Sequence, residues 1–371
     1  MRRISIYLFV CLFLTASCNE KVAPESVEGE GTQICFSIPQ DLSTKSPVYT
    51  DADLRVNNSE IHVHGTKSGA VMTHYDNTLL TYNAVTGLWN PPTPDRWDYD
   101  GTNHVGYDYS FWAYGFNRVN VTGVTPTLST TGDNFGKTIT LVQPASYVHS
   151  DSGFGYDYLL SQVFNATSFA VTNGGNTVYR GPVVHLHMEH ALALIEVRIK
   201  VQKDLYNVKF QGVEVRDFAR GGTITCSKQA EYGNSTGDIN QWTSTSLTNS
   251  GSVYSRGSVL SIGDTGYDGS YMHEFVSGRT EAESEMLLML FTAVPQQMKT
   301  TTLKVAMLIQ EIYDGPVHQL VQTWNLDEFY NWESGYKNVY TISIDTSSEL
   351  DATINDWPSV NNVSGTILPK L

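Results

Sequence analysis

The alternation of apolar and polar side chains in the middle of the chain is the feature that most constrains its fold. From Ala193 to Val201 every odd-numbered residue is apolar, while Glu196, Arg198 and Lys200 occupy even-numbered positions between them. A period of two residues places one set of side chains on each face of a β-strand. No window of twelve residues carries a convincing 3.6-residue apolar stripe, so the pattern predicts an all-β protein with minor helix.

Shorter segments of the same kind recur along the chain and are separated by turn signals such as Asn173-Gly174-Gly175. This spacing is typical of a β-sandwich. The polar stretch 227–257 is instead predicted to be a long loop. The predicted strands are 34–38, 61–64, 79–84, 110–116, 138–143, 158–163, 184–189, 193–201, 286–293, 303–312, 319–326 and 336–344.

Length and composition agree with this prediction. A chain of 371 residues is too long for one hydrophobic core, so two domains are expected. Charged residues make up only 16% and aromatic residues 11%, a balance that favours strands and turns over helices. We place an N-terminal β-sandwich at residues 34–180 and a C-terminal β-sandwich at residues 181–371.

The amino end has the layout of an export signal. Arg2 and Arg3 precede an apolar run over residues 4–14, which is too short to span a bilayer and suits a signal peptide over residues 1–17. Small residues then lead to Cys18, which is the pattern of a lipoprotein cleavage site. Cys18 is therefore predicted to be lipidated, with residues 18–33 as a flexible tether; an ordinary secretory signal with a chance cysteine is the alternative.

The charge of the exported part excludes one class of partner. Removing residues 1–17 takes away two of the 23 basic residues and no acidic residue, which leaves 21 basic against 38 acidic residues and a net charge of −17. Such a surface argues against binding to nucleic acid and against adsorption to anionic lipid.

The segments that match catalytic or metal-binding patterns lack the surrounding sequence that such sites need. Gly233 to Gly237 matches the G-x-S-x-G string of a nucleophile elbow, but both flanks are polar. His62 and His64, like His185 and His187, form pairs without a clear third ligand, although Glu189 shares the face of the second pair. We predict solvent-facing strand faces here, with no catalytic residue, no metal and no cofactor.

Two further sets of residues bear on function. Cys35 and Cys226 are predicted to be free thiols on separate strands, with a disulfide between them as the less favoured alternative. Trp89 and Trp97 lie in a proline-rich loop, where exposed indole rings could stack on a glycan.

Several short elements, in this order, resemble the fimbrillin family, the Mfa-like lipoproteins that build type V pili in Bacteroidales-type bacteria. Met188 stands where the family usually carries Phe, and residues 227–275 match no family element. The elements are Thr15-Ala16-Ser17-Cys18, the strand Ile34 to Ile38, Thr44-Lys45-Ser46, Tyr158-Leu159-Leu160, Val184 to Val197 with its His190-Ala191-Leu192, Trp332 to Tyr340, and Ile354-Asn355-Asp356-Trp357.

The resemblance implies two tandem transthyretin-like Greek-key β-sandwich domains and polymerisation by strand exchange. In the family an Arg-directed protease removes the first strand, and a strand of a neighbouring subunit takes its place. The removable strand would carry Ile34, Phe36 and Ile38, and Arg55 would be the cleavage site. The donor strand would be the tail with Val363, Ile367 and Leu371. An ordinary loop arginine and a plain last strand are the alternatives.

The function implied is that of a non-enzymatic stalk, tip or anchor subunit of a cell-surface fimbria. Its partners would be other fimbrial subunits, and its lipid would hold it in the cell outer membrane before processing. The alternative is a monomeric surface lipoprotein that binds a glycan or a host protein, for which Trp89 and Trp97 are the candidate residues.

Overall fold

The computed structural model describes residues 32–38, 60–100, 105–119, 126–151, 153–173, 175–233, 238–344 and 349–356. Over these ranges the regular structure is β-strand apart from short 3₁₀ turns, so the predicted all-β fold is confirmed. The 3₁₀ turns are Thr73–Tyr75, Gly132–Asn134, Ala282–Ser284 and Leu326–Glu328.

The strands are numbered in chain order. Those that precede residue 181 are β1 (Phe36–Ser37), β2 (Glu60–Lys67), β3 (Ala70–Val71), β4 (Thr78–Leu79), β5 (Thr81–Asn83), β6 (Leu88–Asn90), β7 (Tyr99–Asp100), β8 (Val105–Gly106), β9 (Asp108–Val119), β10 (Thr127–Leu128), β11 (Thr138–Val142), β12 (Gly155–Ser161), β13 (Phe164–Thr167), β14 (Phe169–Asn173) and β15 (Asn176–Arg180). Those that follow it are β16 (Val184–His185), β17 (Met188–His190), β18 (Ala193–Val201), β19 (Asn207–Phe218), β20 (Gly221–Lys228), β21 (Gln241–Thr248), β22 (Ser252–Gly257), β23 (His273–Val276), β24 (Glu285–Ala293), β25 (Thr302–Gln310), β26 (Val317–Asn325), β27 (Tyr336–Ile344) and β28 (Glu349–Asp356).

Two sheets enclose the first core. One has the order β17-β12-β9-β2-β3, with β13 beside β9 and β4 beside β2; the other has the order β16-β1-β6-β5. Both contribute to one buried apolar cluster that includes Phe36, Ile61, Trp89 and Phe111. The central strands β9 and β12 are buried on both faces, because Phe111 and Leu159 belong to this cluster whereas Trp112 and Tyr158 belong to another.

Two other sheets enclose the second core. Their orders are β24-β18-β27-β28 and β22-β19-β25-β26, with β23 beside β19. The alternating segment 193–201 is β18, whose Ile195, Val197 and Ile199 are fully buried in this cluster. β18 pairs with β24 in antiparallel and with β27 in parallel orientation, so it lies inside its sheet.

A fifth sheet, β10-β11-β20-β21, joins segments from both halves of the chain. It covers a third cluster that contains Trp112, Tyr158, Ile224 and Trp242. The predicted loop at 227–257 is therefore wrong, because β21, β22 and the end of β20 lie there. Most residues of β21 are Thr and Ser with exposed side chains, so only Trp242 marks an inward face and the sequence shows little apolar alternation.

The division into domains at residue 180 stays a prediction. Three strands that follow this position pair with strands that precede it: β16 lies beside β1, β17 beside β12, and β20 beside β11. β16 and β17 lie in the segment 184–190, where Val184, Leu186 and Met188 are all buried in the first cluster.

A buried hydrogen bond between His190 and Asp157 joins β17 to β12. Nδ1 of His190 lies 2.8 Å from Oδ2 of Asp157, and the two side chains are 1% and 0% exposed. The second carboxylate oxygen of Asp157 accepts a hydrogen bond from the backbone N–H of Tyr158 at 2.9 Å. Loss of one partner would leave the other polar group buried without its counterpart.

We therefore expect His190→Ala to lower the free energy of unfolding by about 3–5 kcal/mol, as is usual when one member of a buried pair is removed. The matched control is Lys228→Ala, which breaks the exposed 3.1 Å pair with Asp238 and should cost less than about 1 kcal/mol. Urea-induced unfolding of the three proteins measures both values. Equal losses for the two variants would contradict the structural role of His190.

Candidate functional site

The amino-terminal segment 32–38 lies between two strands and not at the rim of its sheet. Phe36 of β1 pairs with Val184 of β16 in parallel and with Trp89 of β6 in antiparallel register. An exchangeable first strand is most simply expected at the edge of a sheet, but here the segment lies inside the order β16-β1-β6-β5. The parallel partner lies 148 residues away along the chain. No local pattern in the sequence predicts such a pairing.

Backbone hydrogen bonds hold the segment on both sides. The N–H of Ile34 donates to the carbonyl of Asp95 at 2.9 Å. On the other side, the carbonyls of Cys35 and Ser37 accept from the N–H groups of Val184 and Leu186 at 2.9 and 2.8 Å. The segment thus completes two ladders at once, and its removal would leave both neighbouring strands with unpaired polar groups.

The side chains of Ile34, Phe36 and Ile38 fill an apolar groove. Their exposed fractions are 0%, 0% and 7%, which agrees with the predicted inward face. The ring of Phe36 lies 5.6 Å from the ring centroids of both Tyr75 and Phe111. We call the site that is bounded by β6, β16, Tyr75 and Phe111 the first-strand groove.

The floor of the groove is built by close backbone approach. Phe111 of β9 lies over Gly65 of β2, where a Cβ atom would come within 2.8 Å of the phenyl ring. A larger residue at position 65 would push Phe111 toward Phe36. The hydroxyl of Tyr75 accepts a hydrogen bond from the N–H of Asp95 at 2.9 Å, which fixes the ring that forms the other part of the floor.

Polar groups contact the segment on its second face. Nδ1 of His185 lies 2.7 Å from Oγ of Ser37, and the imidazole ring packs near Phe164 and Tyr232, at 5.8 and 5.6 Å between ring centroids. Burial lowers the pKa of His185 below its ordinary value. Neutral His185 is therefore the form that suits this environment.

One of the four histidines predicted to face solvent, His64, is buried. His64 is 1% exposed and lies between the rings of Trp112 and Phe135, at 4.7 and 4.8 Å. Its Nδ1 is 3.4 Å from Oδ1 of Asp76. The prediction is wrong for His64 because the third core covers this face of β2. Within the described ranges, no cluster of three or more His, Cys, Asp or Glu could hold a metal ion.

The tryptophans expected to be exposed are buried. Trp89 is 3% and Trp97 2% exposed, so neither offers a ring face to a glycan and that expectation is wrong. Trp97 packs against Tyr109 at 4.8 Å and against the backbone of Gly181, where a Cβ atom would lie 2.2 Å from the indole. Their burial follows from the fold of the proline-rich loop onto the first core.

The cysteines within the structure are free thiols, as predicted. Both are buried, and burial raises the pKa of Cys35 and raises that of Cys226 to about 11. A thiol that stays protonated is a poor nucleophile, so neither is suited to covalent chemistry.

Several predicted site residues lie outside the described residues and stay predictions. They are Cys18, Arg55, the tail residues Val363, Ile367 and Leu371, and Ser235 of the G-x-S-x-G string. In the part of the chain that the structure describes, no helix has the length and apolar character needed to cross a membrane.

The family model described as fimbrillin-like matches residues 55–357. The chain therefore belongs to the fimbrillin-like family, which confirms the resemblance found in the sequence. No match was found among curated proteins.

Three solved structures are similar to this chain. The tip fimbrial protein Mfa3 from Porphyromonas gingivalis is 8% identical, with 88% of this chain and 98% of that chain covered and a TM-score of 0.37. A fimbrial protein from Bacteroides ovatus is 12% identical, with 86% and 49% covered and a TM-score of 0.30. A protein from Bacteroides uniformis that carries a provisional cell adhesion assignment is 12% identical, with 88% and 99% covered and a TM-score of 0.43.

The first prediction for the site concerns Phe36. Truncation by Phe36→Ala leaves a cavity between Tyr75 and Phe111, and we expect it to lower the free energy of unfolding by about 3–5 kcal/mol. Val85→Ala removes an apolar side chain that is 92% exposed and should change the value by less than about 0.5 kcal/mol. Denaturant titration of both variants measures the difference, and an unchanged midpoint for Phe36→Ala would show that the groove does not depend on this ring.

The second prediction concerns pH. Burial, the largest cause, lowers the pKa of His64 below 6.5, although Asp76 acts in the opposite direction. The unfolded chain then binds a proton more readily than the folded protein, so this stability is present above about pH 6.5 and is lost as the pH falls through the folded-state pKa. We expect a lower midpoint of urea unfolding at pH 5.0 than at pH 7.5.

The variant His64→Gln tests the assignment of this pH dependence, because an amide does not titrate. The difference in midpoint between pH 7.5 and pH 5.0 should shrink in this variant. The exposed His318→Gln is the matched control, since the side chain of His318 is 53% exposed, and should leave the difference unchanged. An identical pH dependence in the wild type and His64→Gln would assign the effect to other groups.

Proposed function

We propose that the chain is a structural and adhesive subunit of a cell-surface fimbria, made as a lipoprotein precursor and assembled by strand exchange at the first-strand groove. Membership of the fimbrillin-like family supports the role of an adhesive fimbrial subunit at the cell surface. One observation supports the exchange mechanism most directly. Segment 32–38 forms only a very short strand, yet its deeply buried side chains hold it inside a sheet.

The energetics suit a replaceable segment. Burial of an Ile or Phe side chain stabilises a fold by roughly 1.5–3 kcal/mol, so Ile34, Phe36 and Ile38 together contribute about 5–8 kcal/mol. A folded domain is stable by about 5–15 kcal/mol in total. A protein that lost the segment would therefore be marginal until another strand with the same apolar face filled the groove.

Covalent separation of the segment requires one cut. Arg55 is the only arginine between Ile38 and β2, which begins at Glu60. Cleavage after Arg55 would leave segment 32–38 held by hydrogen bonds and side-chain packing alone. The new amino terminus at Val56 would lie four residues before β2.

The proposed donor segment has the required alternation. Val363, Ile367 and Leu371 lie on one face of an extended chain, as do Ile34, Phe36 and Ile38. Gly365 occupies the same face between the first two donor residues. An incoming strand would restore both the backbone ladders of β6 and β16 and the burial of the groove.

Processing is tested by amino-terminal sequencing of surface-exposed protein together with the variant Arg55→Gln. We expect a start at Val56 in the wild type and an uncut chain without SDS-resistant multimers in the variant. Lys45→Gln removes the nearby lysine and should leave both results unchanged. Multimers of normal length from Arg55→Gln would contradict assembly after cleavage at this position, and monomer alone from the processed wild type would rule out a stalk role.

The direction of exchange is tested in the tail. Ile367→Asp places a charge on the proposed inward face of the donor strand and should abolish the SDS-resistant ladder, because a carboxylate is costly to bury in the groove. Ser364→Asp places the same charge on the opposite face and should preserve the ladder. Loss of multimers in both variants, or in neither, would show that the tail does not donate its 363/367/371 face.

A glycan-binding monomer remains a less favoured function. The residues that suggested it, Trp89 and Trp97, are buried in the first core.

A further inference from the structure

The free edge of β21 borders a cleft of about 840 Å³. β21 ends the order β10-β11-β20-β21, and among the described strands it pairs with β20 alone. Every residue from Gln241 to Leu247 lines the cleft, on both faces of the strand, so the cleft runs along the edge and not over one face. The opposite wall is formed by Pro295, Gln296, Gln297, Lys299, Asn331, Trp332, Glu333, Ser334 and Tyr336. We call this site the β21 cleft.

This edge lacks the usual protection against strand addition. Edge strands commonly carry charged residues or proline, which prevent another chain from pairing with them. The eight residues of β21, Gln-Trp-Thr-Ser-Thr-Ser-Leu-Thr, include neither. Two apolar side chains, Ile239 and Leu247, are 54% and 43% exposed at the cleft. An extended, largely uncharged peptide would satisfy the backbone groups of this edge and cover these side chains.

The fold directs a specific part of the chain to this cleft. Asp356, the last residue of β28, pairs with Tyr336, and Tyr336 lines the β21 cleft. The residues that follow β28 in the sequence therefore begin beside the cleft. Residues 357–371 can extend over roughly 50 Å at about 3.3 Å per residue, whereas β21 with its eight residues spans about 26 Å.

The sequence after β28 suits this edge. Pro358 and Pro369 cannot donate to a ladder, and between them lie the ten residues 359–368, each with a backbone N–H. This stretch, Ser-Val-Asn-Asn-Val-Ser-Gly-Thr-Ile-Leu, carries no charge and is long enough to pair with the whole of β21. The walls of the cleft carry one basic and one acidic residue, Lys299 and Glu333, so they do not select a charged ligand.

We propose that residues 359–368 add to the free edge of β21 in the same molecule, as a fifth strand of the β10-β11-β20-β21 sheet. The contact stands on the cleft and on the position of Asp356, whether or not the protein polymerises. The contact would also regulate the proposed function, and this part rests on that function. A tail held in the β21 cleft cannot enter the first-strand groove of a neighbour until it is displaced.

Disulfide trapping in the full chain tests the contact. Thr243→Cys on β21 is combined in turn with Asn361→Cys, Val363→Cys and Gly365→Cys, because neighbouring strands bring Cα atoms to a distance that a disulfide can bridge. We expect at least one combination to form an intramolecular disulfide, identified by peptide mapping, with a yield at least tenfold above its control. The control replaces Thr243→Cys by Thr323→Cys, an exposed position on the edge strand β26.

Equal yields for the two edge strands, or no disulfide in any combination, would overturn the proposal. Disulfide-linked dimers in place of monomers would also overturn it, since the occupant would then be the tail of a second copy. The trapping is performed on protein that retains segment 32–38 and an uncut Arg55, so its failure leaves strand exchange at the first-strand groove unaffected. Conversely, if the protein does not polymerise, an intramolecular disulfide in the monomer would still support the contact between residues 359–368 and β21.

Amide hydrogen exchange gives a second measurement. In the full chain the amides on the outer edge of β21 should be protected, and deletion of residues 357–371 should speed their exchange by tenfold or more. The amides of β26 serve as the internal control and should not change. Unchanged exchange in β21 after the deletion would contradict the proposal, and the trapping result decides the matter if the shortened chain does not fold.

Discussion

The insertion of Phe36 between Tyr75 and Phe111 is the contact on which the amino-terminal half of the molecule depends. The three rings bring together β1, the turn before β4, and the long strand β9, and each ring is fully buried. Since the same short strand also pairs with β6 and β16, it links backbone ladders and side-chain core at one point. A segment with this double role stabilises the protein strongly while it occupies its groove.

The same arrangement explains why the segment could be exchanged. Its regular strand is short, because β1 has two residues. The groove mainly requires a strand whose apolar side chains have a matching period along one face, and the side chains of the segment supply most of this. Any extended peptide with that period can satisfy the same groups, and the affinity then depends on burial more than on the identity of the strand.

The second organising element is the sheet formed by β10, β11, β20 and β21, which covers the cluster around Tyr158 and Trp242. It connects segments on both sides of residue 180, and so does the buried Asp157–His190 pair. Among the described strands, β21 pairs on one side only, with β20.

The all-β class and the inward faces of the main strands could be predicted because a period of two residues is a local property. Ile34, Phe36 and Ile38, the face of Val184, Leu186 and Met188, and the alternation of β18 are all buried as expected. The prediction failed at β21, where one inward Trp242 gives too weak a pattern. It also failed at His64, Trp89 and Trp97, because whether a polar or aromatic residue is covered depends on what packs over it from elsewhere in the chain.

The sequence by itself therefore determined which residues alternate, where turns fall, and the family to which the chain belongs. Only the tertiary structure decided that segment 32–38 lies inside a sheet, that His185 contacts Ser37, and that β28 ends beside the open edge of β21. The physical reason is that strand pairing joins residues far apart along the chain. Hydrogen bonds between backbone groups carry no side-chain signature, so the choice of neighbouring strand is made by the packing of the whole core.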